Sequence, residues 1–384
     1  MIIRKEYLPF GRPNFSEYEI AAVTRVMRSG WIGMGAETIA FEKELGAFLG
    51  VPHVITTNSC TSSLFLSLLV SGVGAGDEVI CPSLTWCSTA NAALYLGAMP
   101  IFCDVEPESF CLSAKTILEK ITVKTKAVIV VHFGGLAVDV EMLRSVLPKH
   151  IHIIEDAAHA LGSYYKNGRA VGSSGNLTCF SFYANKNLST GEGGAISLFD
   201  DSIAERLQSL RQHALPINAW KRFTHPKSIL LSNSLTDLGY KMNYSDLQAS
   251  IGRVQLTRFN DMQLTRQKIA DIYFEDLKNY DVGFQCDCNS DRHAKHLFVI
   301  RLPLSKSRYD RDEMILALRA KNIGASIHYA PLHLMPLYYH DCKPDVLHVT
   351  EELTKCIVTL PISASMTEED AHYVTGALKE ILER

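Results

Sequence analysis

From residue 53 to about residue 200 the chain alternates short apolar runs with segments of helical spacing. "HVITTNS" has the length and pattern of a strand, and "CTSSLFLSLLVSG" behind it that of a helix with a glycine stop. The same logic predicts strands at "DEVICPS", "MPIFCDV", "KAVIVVHF" and "IHIIED", and helices at "STANAALYLG", "SAKTILEKI" and "DVEMLRSVL". Several of these strands are nearly unbroken apolar runs, as expected where both faces of a sheet are covered. The alternation predicts a mostly parallel sheet flanked by helices. After Gly162 two strands, "NLTCFSFYA" and "GGAISLFD", come without a long helix.

The pattern changes at Ser245. "SDLQ" is a helix capping box and opens a helical region reaching about Leu277. A strand "HLFVIRLP", a helix "RDEMILALRAKN", a strand "ASIHY", a Pro-rich turn and a last helix follow, with a second capping signature at "TEED". The expected division is a large α/β domain over 1–250 and a small α+β domain over 251–384.

Composition narrows the function. Hydrophobic residues make up 47% and charged residues 21% of 384, and the net charge is −3, an ordinary globular balance. It offers no electrostatic case for nucleic acid or an anionic membrane as main partner. The opening "MIIRKEYLPFGRPNF" lacks the apolar run of a signal peptide, and runs such as "AVIVVHFGG" are too short to span a bilayer. The expected location is the cytoplasm. Ten cysteines are scattered without a CxxC pair, so neither a zinc site nor a disulfide framework is expected.

"GVGAGDEVI" at 72–80 looks like a nucleotide loop, but it follows a helix and precedes a strand, the reverse of the dinucleotide fingerprint. Stronger signals lie further on. "IHIIEDAAHALG" ends a buried strand in Glu155 and Asp156, at the edge where open α/β sheets hold ligands. Such a carboxylate also serves as a helix cap. His159, three residues on, reads as a ligand to a cofactor, a ligand to a metal, or a surface residue. In "FSFYANKNLSTGEGG", Lys186 is the only charged side chain between Arg169 and Glu192. An apolar run precedes it, and glycines that permit close backbone approach follow it. A poorly solvated lysine has a lowered pKa and attacks carbonyls. An aspartate at a strand end followed by such a lysine suggests pyridoxal phosphate. The lysine would form the Schiff base, and the aspartate would keep the ring nitrogen protonated. "NSCTSSL" supplies a helix start for the phosphate. Trp86 in "CPSLTWCSTANA" serves either as a wall for the ring or as a core residue. Ser181 could add a hydroxyl to the phosphate.

These motifs, with "GWIGMG", "GYKMNYSDLQASIGRVQL", "GASIHYAPLH" and "LPISASMTEED", occur in the order found in the DegT-type sugar aminotransferases. The chain resembles that family over nearly its whole length. The resemblance implies a fold-type-I pyridoxal-phosphate enzyme that moves an amino group, usually from L-glutamate, to a keto group on a nucleotide-linked sugar. By position, Lys186 matches the Schiff-base lysine and proton shuttle, and Asp156 the pyridinium partner. Trp86 matches the stacking aromatic, Cys60, Thr61 and Ser181 the phosphate contacts, and His159 a contact to the cofactor's phenolic oxygen. Within the family, "HALPINAWKRF" and "NIGASIHYAPLH" look most like UDP-4-amino-4-deoxy-L-arabinose synthases. Related enzymes take 4-keto-6-deoxyhexoses or other keto sugars.

The family's members act as homodimers with shared sites. "GYKMNY" departs from the commoner "GYNYRM", so either Lys241 or Asn243 is the expected contact to the partner's phosphate. The segment need not fold back onto its own sheet. "AWKRFTHPK" at 219–227 is either an anion-holding stretch or a solvated loop. Two other readings are weaker. A dehydratase on this fold replaces the lysine with histidine, and a non-catalytic regulator would have lost Lys186, Asp156 or the phosphate loop.

Overall fold

The computed structural model describes residues 3–215, 237–303, 309–339 and 346–383, together with Thr224 and Leu235. Apart from Thr224, the basic stretch 219–227 lies outside the described residues.

Seven strands form the central sheet: β1 (His53–Thr57), β2 (Glu78–Pro82), β3 (Met99–Cys103), β4 (Thr125–Val131), β5 (His152–Asp156), β6 (Leu177–Ser181) and β7 (Gly194–Leu198). Their order is β1-β7-β6-β5-β4-β2-β3. Strands β2 to β6 pair in parallel, and β7 runs antiparallel to both its neighbours. The mostly parallel sheet read from the sequence is therefore present.

The unbroken apolar runs are explained by burial on both faces. In β4, Val128 and Val130 join a core with Phe41, Phe180 and Leu45. Ala127 and Ile129, pointing the other way, join Leu64, Leu68 and Cys179. Helix α3 (Cys60–Val70) packs on this second face. Its buried residues run through most of its length, with the small Ser62, Ser63 and Ser67 among the leucines. Residues 72–77 are the helix-to-strand connection expected of "GVGAGDEVI".

The "SDLQ" capping box is formed. Ser245 Oγ accepts from Gln248 N, and Gln248 Oε1 accepts from Ser245 N. It starts the helix Asp246–Thr257, and a second helix runs over Phe259–Leu277. The "TEED" signature likewise caps Glu368–Leu382 through Thr367. Strands β8 (Gly283–Phe284), β9 (Phe298–Arg301) and β10 (Ile357–Leu360) form a separate antiparallel sheet. Its core is Tyr273, Phe298, Ile300, Val358 and Leu378, and Leu8 from the start of the chain packs into it.

Two expected elements differ. "SAKTILEKI" forms only the short helix Ala114–Leu118. "ASIHY" is not a strand: Ser326 alone bridges to Thr359. Residues on either side have other attachments. Gly324 N donates to Leu8 O, and His328 and Tyr329 turn to the cavity described below. The place beside β9 goes instead to β10, whose residues 357–360 are β-branched except for Leu360.

Candidate active site

The carboxyl ends of β1, β2, β4, β5 and β6 share one edge of the sheet, and a cavity of about 490 Å³ opens there. Each strand delivers a residue to it for a local reason. β5 ends in Asp156, in register with Val131 of β4 and Cys179 of β6. β1 runs into Ser59, whose side chain accepts from Ser62 N and starts α3. Cys60 and Thr61 are thus the first two helical residues, and first-turn N–H groups have no carbonyl within the helix to bond. β2 leads to Trp86, the residue before the helix Cys87–Leu94. β6 ends in Ser181, and the turn after it carries Lys186. Cys60, Thr61, Trp86 and Asp156 line the cavity, as do His159, Ser181 and Lys186.

The glycines after Lys186 have a steric role. Gly194 opens β7 between Thr57 and Ser181. A Cβ there would lie 2.5 Å from the Ser59 carbonyl carbon and 2.6 Å from the Cys60 nitrogen. Gly193 has φ 150°, and its Cβ would lie 2.5 Å from the ring of Tyr244. Only glycine lets the start of α3 close against the strand that faces the lysine loop.

Lys186 is half-buried on the cavity wall. Burial lowers its pKa to about 8, against the opposing pull of Cys60 and Asp156. Asp156 is 5% exposed. Its Oδ2 accepts from the Thr89 hydroxyl at 2.9 Å and its Oδ1 from Ala158 N at 3.1 Å. Burial nonetheless pushes its pKa up, with those bonds and Lys186 only partly offsetting it. His159 is buried and neutral, its pKa driven well down by burial and then by Lys186. Its Nδ1 lies 3.3 Å from the Gly134 N–H and its Nε2 3.0 Å from Tyr329 Oη. That burial removes the surface-residue reading. Among the described residues no group of three His, Cys, Asp or Glu side chains could hold a metal. Trp86 is 62% exposed, its ring centroid 6.0 Å from that of Tyr329. It is a cavity-rim residue and not part of the core.

Glu155, the neighbouring carboxylate, points into the protein. It accepts from His132 Nε2 at 2.8 Å, Tyr165 Oη at 2.6 Å and Asn176 Nδ2 at 2.9 Å, and from Ser174. Burial would raise its pKa, but these bonds prevail and hold it low. Of the two strand-end carboxylates, only Asp156 lines the cavity.

Lys241 and Asn243 do not line this cavity. Their segment is tied to its own chain, contrary to the sequence expectation that it need not fold back. Tyr240 N donates to Leu210 O, Met242 N to Arg211 O, and Asn58 N to Met242 O. The backbone groups of the segment need partners and find them at the end of the helix Asp201–Leu210 and at Asn58, just before α3, while the Lys241 side chain is exposed. His296, His328 and Tyr329 were missed in the sequence. His328 and Tyr329 line the cavity, and His296 lies 3.2 Å from Lys186 Nζ.

The arrangement fits pyridoxal phosphate. An amine of lowered pKa can take the aldehyde, a buried carboxylate held by neutral donors can face a protonated ring nitrogen, and a helix start can hold the phosphate.

Comparison with known proteins agrees with this chemistry. Residues 13–379 match the DegT/DnrJ/EryC1/StrS aminotransferase family. The chain is 38% identical over 390 residues to the spore coat polysaccharide biosynthesis protein SpsC of Bacillus subtilis strain 168, covering 99% of this chain and 98% of that one. The crystal structure of the aminotransferase TlmJ from Streptoalloteichus hindustanus superposes with TM-score 0.89 at 31% identity, over 98% of this chain and 99% of that one. The PLP-form of Spr1654 from Streptococcus pneumoniae gives TM-score 0.88 at 28% identity, over 98% and 99%. The chain belongs to the DegT/DnrJ/EryC1/StrS aminotransferase family.

Proposed function

We propose that the protein is a pyridoxal-phosphate-dependent aminotransferase that places an amino group on the keto carbon of a sugar destined for a surface polysaccharide. The observation that carries this is the meeting, in one cavity, of an amine whose pKa is lowered to about 8 with a buried carboxylate whose direct hydrogen bonds are to neutral donors. The family supports amino transfer. The polysaccharide role named for SpsC supports the sugar, and the PLP-form of Spr1654 supports the cofactor.

When bound, pyridoxal phosphate would supply an electron sink for a carbanion beside its imine carbon. Lys186 would hold the cofactor through its aldehyde, and its free Nζ would serve as the base and then the acid for the proton on the donor carbon. Asp156 would keep a proton on the ring nitrogen. Cys60, Thr61 and Ser181 would hold the phosphate, Trp86 would cover the ring, and His159 would contact the phenolic oxygen.

The finer reading follows from the motif resemblance. The donor is L-glutamate, and the acceptor is a nucleotide-linked 4-keto sugar, UDP-4-keto-pentose-like in preference to a 4-keto-6-deoxyhexose. The enzyme works in the cytoplasm as a homodimer, with Lys241 or Asn243 reaching the partner's phosphate. The test is to incubate the purified protein with L-glutamate and a panel of nucleotide-linked keto sugars and to read the products by mass spectrometry. Amination of the UDP-linked 4-keto pentose above the rest is the expected result. No amination of any keto sugar, with cofactor bound, would sink the reading.

A further inference from the structure

Lys186 has a histidine within hydrogen-bond reach. Its Nζ lies 3.2 Å from Nε2 of His296. His296 comes just before β9 and is 3% exposed. The other ring nitrogen, Nδ1, lies 3.2 Å from Oδ1 of Asn187. The orientation of that amide follows from its other end. Asn187 Nδ2 donates to Ala294 O at 2.7 Å and to Gln263 Oε1 at 3.3 Å. Gln263 Nε2 donates to the same Ala294 carbonyl at 2.9 Å. With Nδ2 engaged there, the atom facing His296 is an oxygen, which only accepts. His296 Nδ1 must therefore carry the hydrogen, and in the neutral ring Nε2 is a bare acceptor aimed at Lys186. The ring is neutral because it is buried among Lys186, His159, Arg266 and His328. The His159 ring lies tilted against it, with ring centroids 4.6 Å apart.

We propose that the Asn187–His296 pair is a positioning device for the free amine of Lys186, holding Nζ in place whenever the lysine is not joined to the cofactor. The proposal rests on the aminotransferase reading above. A released lysine on a flexible four-carbon stem would otherwise sample many rotamers. A general base must stay within hydrogen-bond reach of the proton it takes. With one N–H given to His296 Nε2, the lone pair of Nζ is left for the cavity side. When Nζ has taken a proton, His296 still accepts, so the ammonium stays in place until it gives the proton back. Asp156 also favours the ammonium at Nζ, while Arg266 opposes it.

The test uses the full chain with His296→Leu, His296→Gln and Asn187→Ala. In cofactor-free protein, acetylation of Lys186 is followed against pH by mass spectrometry. Leucine removes the acceptor from a poorly solvated ammonium, so the titration midpoint should fall by about one pH unit. Glutamine offers an amide oxygen and should stay within about half a unit of wild type. Asn187→Ala frees the other tautomer and should shift the midpoint in the same direction as leucine, by less, which serves if the leucine variant does not fold. In loaded enzyme, kcat should drop about 10-fold or more for His296→Leu. KM for the donor should stay near wild type, and the isotope effect with donor deuterated at the reacting carbon should rise. Glutamine should restore both. Equal midpoints in wild type, His296→Leu and Asn187→Ala would overturn the pair. So would a loss in His296→Leu that glutamine does not repair. If the midpoint depends on His296 in a protein that transfers no amino group, the pair holds and the function fails. If the wild type transfers with no such dependence, the pair alone fails.

Discussion

The Thr89 hydroxyl donates to the Asp156 carboxylate at 2.9 Å, and with the Ala158 N–H it takes the place a counter-ion would occupy. Neutral donors stabilise a buried carboxylate only partly, which is why burial still raises the pKa of Asp156. A protonated ring nitrogen set against it would supply the missing charge. Asp156→Asn keeps the shape and loses that charge. Amino transfer should fall by about 10²-fold or more in both half-reactions, followed by stopped-flow absorbance, with the cofactor still joined to Lys186. Near-normal turnover would leave Asp156 as a cap alone.

Borohydride reduction of the loaded protein should fix the cofactor on Lys186, located by peptide mass spectrometry. The structure supplies an internal control in Lys295. Burial lowers that lysine to about 8 as well, but its Nζ donates to the Ser290 carbonyl and does not line the cavity. A lowered pKa alone would label both. Label on Lys295 with Lys186 unmodified would contradict the assignment.

Trp86 distinguishes a cofactor wall from a packing role. At 62% exposure it contributes little to the core. Trp86→Ala should therefore weaken cofactor retention by about 1–3 kcal/mol, the usual worth of an aromatic stacked on a heterocycle. The melting temperature of the cofactor-free protein should barely move. A drop in melting temperature with unchanged cofactor affinity would reverse this view.

Lys186 also makes stability depend on pH. Its folded pKa of about 8 lies below the 10.5 of a free lysine, so between those values the unfolded chain holds a proton that the folded chain has released. The stability linked to this group is complete above 10.5 and is lost as the pH falls through 8. Lys186→Met removes the linkage. In urea melts of the cofactor-free proteins, the variant should be the more stable at pH 7, and the gap should close by pH 10.5. Lys295 titrates in both and cancels. A gap independent of pH would mean that Lys186 is not desolvated in solution.

Sharing of sites between subunits is tested by exchange. Lys186→Ala and the double change Lys241→Ala with Asn243→Ala are each expected to be inactive. If the segment acts on the partner's phosphate, a mixed dimer has one site with both lesions and one with neither. Activity should then return toward half per dimer. No recovery, with exchange verified by mass spectrometry, would confine the segment to its own site.

The central sheet and most of the cavity were legible because each signal was local. Asp156 and Ser181 end apolar runs, Trp86 follows one, and Cys60 starts a helix, so strand ends alone collect them. His296 was not legible, since it lies 110 positions after Lys186 and was read as part of a strand. Its place is set by packing between distant elements. "ASIHY" misled for a related reason. Its alternation suits a strand, but only Ser326 pairs, and its last two residues serve the cavity instead. Glu155 and Asp156 are adjacent carboxylates on opposite faces of β5, and which of the two faces carries the cavity is set by packing that composition does not show.

The missing Cβ of Gly194 has a consequence for tolerance in the cavity's dimensions. Because the Ser59–Cys60 peptide rests directly on that glycine, the spacing between the start of α3 and the neighbouring end of β6 is gauged by the thickness of one backbone plane. No side chain stands between them to be trimmed or rearranged. Whatever anion the helix start holds is thus located relative to the loop that carries Lys186 by main chain alone, and side chains lining the cavity can vary without changing that length.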